Sequence, residues 1–202
     1  MALIFCKRAL IIVALLIVIF MPVTSSAQDE YRSEYEPLII QDSMHRIAEY
    51  ARALGLPEDD PIIIRAKELW LKADKDFHRD RDIVATVVYN EAGNGCSDRH
   101  MELVAAVVYN RLMSEKFPDT IRDIVVAPKQ YHPDYVDADS YYGKRARESS
   151  EKWEKCQEIA TKALKGEIEC PRDVYYQANF KQGKGIYEIH YTTYSTTWFC
   201  YG

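Results

Sequence analysis

Apolar residues recur at helical spacing along most of this chain and change to an alternating pattern only near its end. Ile40, Met44, Ile47, Ala51 and Leu54 mark one face of a helix over 37–54, and Gly55 follows as a natural C-cap. Asp59-Asp60-Pro61 opens a second helix, to about 76, with Ile62, Ile63, Ala66, Leu69, Trp70 and Ala73 on its apolar side. A third over 81–91 carries Ile83, Val84, Val87 and Val88 as a stripe. After Gly93-Asn94-Gly95, Ser97 or Asp98 can cap a fourth, in which Leu103, Ala106, Val107, Asn110 and Met113 share a side. Pro118-Asp119 stops it, 120–126 reads as a short helix or turn, and 128–142 is an aperiodic loop rich in Tyr, Asp and Pro. A charged helix is expected over 145–165, closed by Gly166. From Asp173 the period falls towards two, with strands over 174–177 and 186–193 and a last one within 194–202.

This succession predicts an α+β fold, mostly α, with a small C-terminal antiparallel β element. Three segments follow: an export signal over 1–27, a helical hairpin or brace over 28–80, and a main domain over 81–202. The signal is read from Lys7 and Arg8, the apolar run 9–20 and the small residues Ser25-Ser26-Ala27, with cleavage before Gln28. Such a leader directs the chain to the cell exterior, wall or periplasm, with membrane attachment only if it is kept as an anchor. Losing Lys7 and Arg8 moves the formal net charge from −5 to −7. That balance argues against nucleic acid as a partner.

The mature chain would keep Cys96, Cys156, Cys170 and Cys200, an even count that predicts disulfides in an exported protein and leaves three pairings open. No Cys/His spacing reads as a zinc site and no HExxH occurs, so no metal and no cofactor is expected.

Glu91 follows Val84 by seven residues, Val87 by four and Val88 by three, so it shares their apolar face. Desolvation there should raise its pKa, as a general acid requires near neutral pH. The plainer reading is a buried Glu satisfied by an Asn or Tyr neighbour. A rival chemistry is a Cys96 nucleophile, its thiol pKa lowered by the following helix start, with His132 or His190 as base.

Several motifs stand in order: Tyr89 to Ala92, Asn110-Arg111, Phe117 to Ile121, Pro128 to Tyr131, Ala163 to Gly166 and Tyr175-Tyr176. Together, over about 82–201, they resemble the spore-cortex-lytic, SleB-type cell wall hydrolase family. The resemblance implies a lysozyme-like helical domain that cleaves peptidoglycan glycan strands, as lytic transglycosylases do, with the family glutamate at Glu91. It implies substrate contacts at Gln130 and Tyr131 if their loop folds over Glu91, and at Tyr176 and Asn179 from the strand region. Two-carboxylate hydrolysis would instead need a partner such as Asp134, Asp137 or Asp139. A wall-binding protein without catalysis on the same fold is the remaining alternative. Two departures stand out. Gly93-Asn94-Gly95 replaces the family's Arg-Gly-Glu after Glu-Ala, and Thr197 stands where the family has a histidine before an aromatic.

Overall fold

In the computed structural model, residues 35–93, 95–192 and 195–202 are described. The expected export signal and Asn94 lie outside them. The described chain divides into two compact units, one of Glu36–Phe77 and one of Tyr35 with His78–Gly202.

In the first unit, helix α1 (Glu36–Ala53) is followed after a short turn by helix α2 (Pro61–Ala92), and the two pack together. Met44 and Ala48 of α1 meet Ala66 of α2, with Ile40, Ile47 and Leu69 packed around them. Gly55 closes α1 with φ +76, letting the Leu56 N–H reach back to the Ala51 carbonyl at 3.2 Å. Asp60 caps α2 by accepting the Ile62 N–H at 3.0 Å.

The two helices expected over 61–76 and 81–91 are one. Between them, Phe77-His78-Arg79-Asp80 offers no Gly or Pro to break the backbone ladder, so α2 continues to Ala92. Asp80, buried on this stretch, accepts the Tyr35 hydroxyl at 2.6 Å.

The second unit is organised on helix α3 (Asp98–Met113), in which every residue from Leu103 to Met113 is buried. A helix buried on all sides belongs at the centre of a core. Ser97 caps it, accepting the His100 N–H at 3.2 Å. Helix α4 (Ile121–Val126), helix α6 (Ser150–Leu164) and strand β1 (Val174–Ala178) all pack on α3. The segment 128–142 is more ordered than its composition suggested. It holds a 3-10 turn (Pro133–Val136) and the start of helix α5 (Tyr141–Arg147). The single charged helix expected over 145–165 is therefore two, α5 and α6, parted at Glu148-Ser149.

Strands β2 (Gly185–Tyr191) and β3 (Thr196–Tyr201) complete an antiparallel sheet of order β1-β3-β2, so the last strand is the central one. Phe199 and Cys200 of β3 are wholly buried. The fold is thus mostly helical with a small C-terminal antiparallel sheet. The disulfide expectation is corrected: all four described cysteines are free thiols, with Cys156 buried inside α6 and Cys200 inside β3.

Two adjacent polar residues of α3 fix the sheet to the helical core. Asn110 Nδ2 donates to the Pro171 carbonyl at 2.8 Å and the Val174 carbonyl at 3.1 Å. Arg111 Nε donates to the Tyr175 carbonyl at 2.8 Å. Asn110 therefore orients the entry to β1. Replacing it with Leu leaves two carbonyls without their donor, and Asn110→Leu should lose about 2 kcal/mol or more in urea unfolding. A loss below about 0.5 kcal/mol, the size of an ordinary surface change, would refute this role.

Candidate active site

Glu91 stands in the last turn of α2, where the helix face turns from the core towards an open cleft. About 210 Å³ in volume, this cleft is lined by Glu91, His100, Val104, Gln177, Ala178, Asn179, Ser195, Thr196 and Thr197. Three elements supply its walls: α3 gives His100 and Val104, the end of β1 gives Gln177 and Ala178, and the start of β3 gives Thr196 and Thr197.

The expectation that Glu91 is buried with Val84, Val87 and Val88 is corrected. Those valines are buried, but Glu91 is exposed on the cleft side. Its carboxyl pKa is nevertheless raised, first by desolvation from the surrounding protein, with a hydrogen bond from Tyr135 pulling the other way. The two facts are compatible for a group on a cleft floor, open on one side and walled on the others. Tyr135 Oη donates to Glu91 Oε1 at 3.1 Å. Burial and the nearby Glu91 charge push the Tyr135 hydroxyl well above its ordinary range, so it stays a donor.

Tyr135 is held by its loop. It lies in the 3-10 turn that His132 caps through Nδ1, which accepts the Asp134 N–H at 3.3 Å. The Tyr142 ring meets those of His132 and Tyr135, at centroid distances of 4.4 Å and 5.2 Å. Gly143 lets α5 approach this turn, because a Cβ there would overlap the carbonyl oxygens of Asp137 and Ala138.

Of the other residues read from the sequence, Asn179 lies in the same cleft as Glu91. Gln130 is exposed on the loop before Tyr135 and is absent from the cleft lining. Tyr131 is half-buried under the Arg111 guanidinium, 5.4 Å from its ring centroid, and burial pushes its hydroxyl up to about 12. Tyr176 is absent from the cleft lining, and its ring lies close to Gly183 and Gly202. The sequence reading missed Tyr135, His100 and Gln177. Strand alternation gave no signal for Gln177, since Gln177, Ala178 and Asn179 line the cleft in succession.

The Cys96 chemistry is corrected. Desolvation raises its thiol pKa, the opposite of the lowering expected from the helix start, so the thiol stays protonated. The two histidines named as its base are engaged elsewhere, His132 with the Asp134 N–H and His190 with Glu188 Oε1 at 2.6 Å. Asp134, Asp137 and Asp139 are exposed and outside the cleft lining, and Asp137 Oδ1 accepts the Asp139 N–H at 2.8 Å within the loop.

Residues 95–200, slightly more than half of the chain, match the sequence profile of the family described as Cell Wall Hydrolase. The chain belongs to the cell wall hydrolase family. No curated protein and no solved structure matches it at a significant level. Membership makes peptidoglycan the substrate and the cell wall the place of action in general terms. The match extends through α3 to the penultimate residue of β3, so it takes in the cleft walls of this cell wall hydrolase, while Glu91 stands just before it.

The Glu91–Tyr135 pair carries a signed pH prediction. Folding raises the Glu91 pKa, so its contribution to stability is full below the ordinary carboxylate range and is lost as pH rises through the raised value. Glu91→Gln should flatten that part of the melting-temperature profile. Because the Tyr135 bond favours the carboxylate, Tyr135→Phe should move the Glu91 midpoint further up in a carbon-detected NMR titration. A midpoint that fell or stayed fixed would contradict the pairing.

Proposed function

We propose that this cell wall hydrolase cleaves the glycan strand of peptidoglycan by lytic transglycosylation, with Glu91 as acid and then base. The observation that carries the reading is Glu91 itself: the one carboxylate among the described residues lining the cleft, its pKa raised and one oxygen held by Tyr135. Protonated Glu91 gives its proton to the glycosidic oxygen as the C1–O bond of the muramyl residue breaks, releasing the next sugar with a free hydroxyl. The Glu91 carboxylate, steadied by the Tyr135 hydroxyl, then takes the proton of the C6 hydroxyl as that oxygen bonds to C1. The product ends in a 1,6-anhydro ring, Glu91 is protonated again, and no water is consumed.

A single acid suffices for this sequence, whereas two-carboxylate hydrolysis needs a second group roughly 5–9.5 Å away. The exposed positions of Asp134, Asp137 and Asp139 outside the cleft favour the single-acid route. In this reading Asn179 binds sugar inside the cleft and Gln130 meets the strand as it leaves. Tyr131 serves as a buttress beneath Arg111. Tyr176, outside the cleft lining, belongs to the sheet's packing. The leader expected over 1–27 would carry the enzyme to its polymer.

The test is purified full-length protein on peptidoglycan, with mass spectrometry of the fragments. Anhydromuramyl ends are expected. Glu91→Gln should cut the rate by at least about 10²-fold, the lower end of what general acid catalysis contributes, while keeping the fold. Reducing muramyl ends would replace transglycosylation with hydrolysis, and full activity of Glu91→Gln would remove Glu91 from the mechanism. Intact glycan that still retains the protein would leave a binding protein.

A further inference from the structure

Two polar atoms in the cleft walls have no partner in the protein. His100 is 2% exposed, and its Nε2 makes no hydrogen bond. Gln177 Oε1, across the cleft on β1, is likewise buried and unpaired. Leaving such an atom unpaired costs about 1–3 kcal/mol, and native proteins tolerate it chiefly where a ligand or ordered water completes the bonding. Both residues line the Glu91 cleft together with two apolar side chains, Val104 and Ala178.

This set has a definite chemical complement. An acetamido group carries one N–H donor, one carbonyl acceptor and one methyl. Gln177 Oε1 can accept the N–H, His100 Nε2–H can donate to the carbonyl, and Val104 with Ala178 can receive the methyl. A sugar with only hydroxyls lacks the methyl and the paired donor and acceptor that this set complements. We propose that His100 and Gln177 select the C2 acetamido group of an N-acetylated amino sugar held beside Glu91. The inference rests on the glycan-cleavage reading and names the substituent that the cleft reads.

The His100 ring packs among aromatic neighbours. It stands 5.0 Å from the His190 ring and 5.6 Å, edge-on, from that of Phe199. Burial, with the neighbouring His190, lowers its pKa to about 4, so near neutral pH the imidazole is uncharged. It therefore recognises without titrating, and as a base it is too weak to take the proton Glu91 must deliver. Neither unpaired atom meets free water. Both atoms are buried, so binding must turn the His100 ring and the Gln177 amide towards the cleft.

The test compares two tetrasaccharides that differ only at C2: β-1,4-linked N-acetylglucosamine and β-1,4-linked glucose. Each is titrated calorimetrically into full-length Glu91→Gln protein, which binds without turnover. The acetamido tetramer should bind at least about tenfold more tightly, the scale on which a hydrogen-bonding site rejects an analogue lacking the group. Adding Gln177→Leu or His100→Phe should bring the two affinities within about threefold of each other without lowering the melting temperature, because each change removes an unpaired polar atom. No preference in the parent, no binding of either tetramer, or variants that weaken both sugars equally would overturn the proposal. Should His100→Phe not fold, Gln177→Leu alone decides. Product analysis on peptidoglycan with otherwise unaltered protein separates the two readings. Anhydro ends without acetamido preference would sink this inference and leave the mechanism standing.

Discussion

The bonds from Asn110 and Arg111 to the backbone of β1 are the constraint on which the cleft depends. Helix α3 is buried along nearly its whole length, so it can hold any element that supplies acceptors to its few polar side chains. Asn110 takes the carbonyls of Pro171 and Val174, and Arg111 takes that of Tyr175. Those contacts set where β1 begins, and β1 then delivers Gln177 and Ala178 to the cleft. Arg99 adds a second tie at the other end of α3, reaching Glu188 Oε2 at 3.0 Å and the Tyr187 hydroxyl at 3.0 Å on β2. The sheet is thus pinned to one helix at both ends, and the cleft lies between the pins.

Glu91 shows how a carboxyl can keep a raised pKa without full burial. A carboxyl sealed in a core would hold its proton but reach no polymer. One on an open surface would lose it well below neutral pH. The end of α2 gives an intermediate setting, with protein walls raising the pKa and Tyr135 limiting the rise. A donor to the charged form also helps once the proton has left. In the proposed cycle, where Glu91 gives a proton and takes one back, Tyr135 would tune both halves.

Much of this was legible in the sequence because local rules decided it. The cap at Ser97, one of two candidates, and the glycine stop at Gly55 stand where spacing put them. Local rules failed where no punctuating residue marks an event. Nothing at 77–80 breaks a helix, so two expected helices are one, and nothing at Glu148-Ser149 announces the break that the fold makes there. Seven-, four- and three-residue spacings put Glu91 on the apolar face, but periodicity does not say where a core ends. Tyr135 lies 44 residues from Glu91, a contact that only tertiary structure creates. His100 was hidden because, flanked by Asp98, Arg99 and Glu102, it reads as part of a polar helix start.

The histidine also bears on the departure noted at the end of the chain. Thr197 stands where the resembled family carries a histidine, and it lines the same cleft that His100 enters from α3. An ordinary imidazole beside Glu91, with a pKa near 6.5, would compete for its proton and, once charged, would pull the carboxyl pKa down. His100 does neither, since desolvation keeps it neutral down to about 4. A threonine hydroxyl at 197 does not titrate in this range at all. Among the described residues lining the cleft, Glu91 is thus the one group left to carry a proton near neutral pH, which suits the proposed single-acid mechanism.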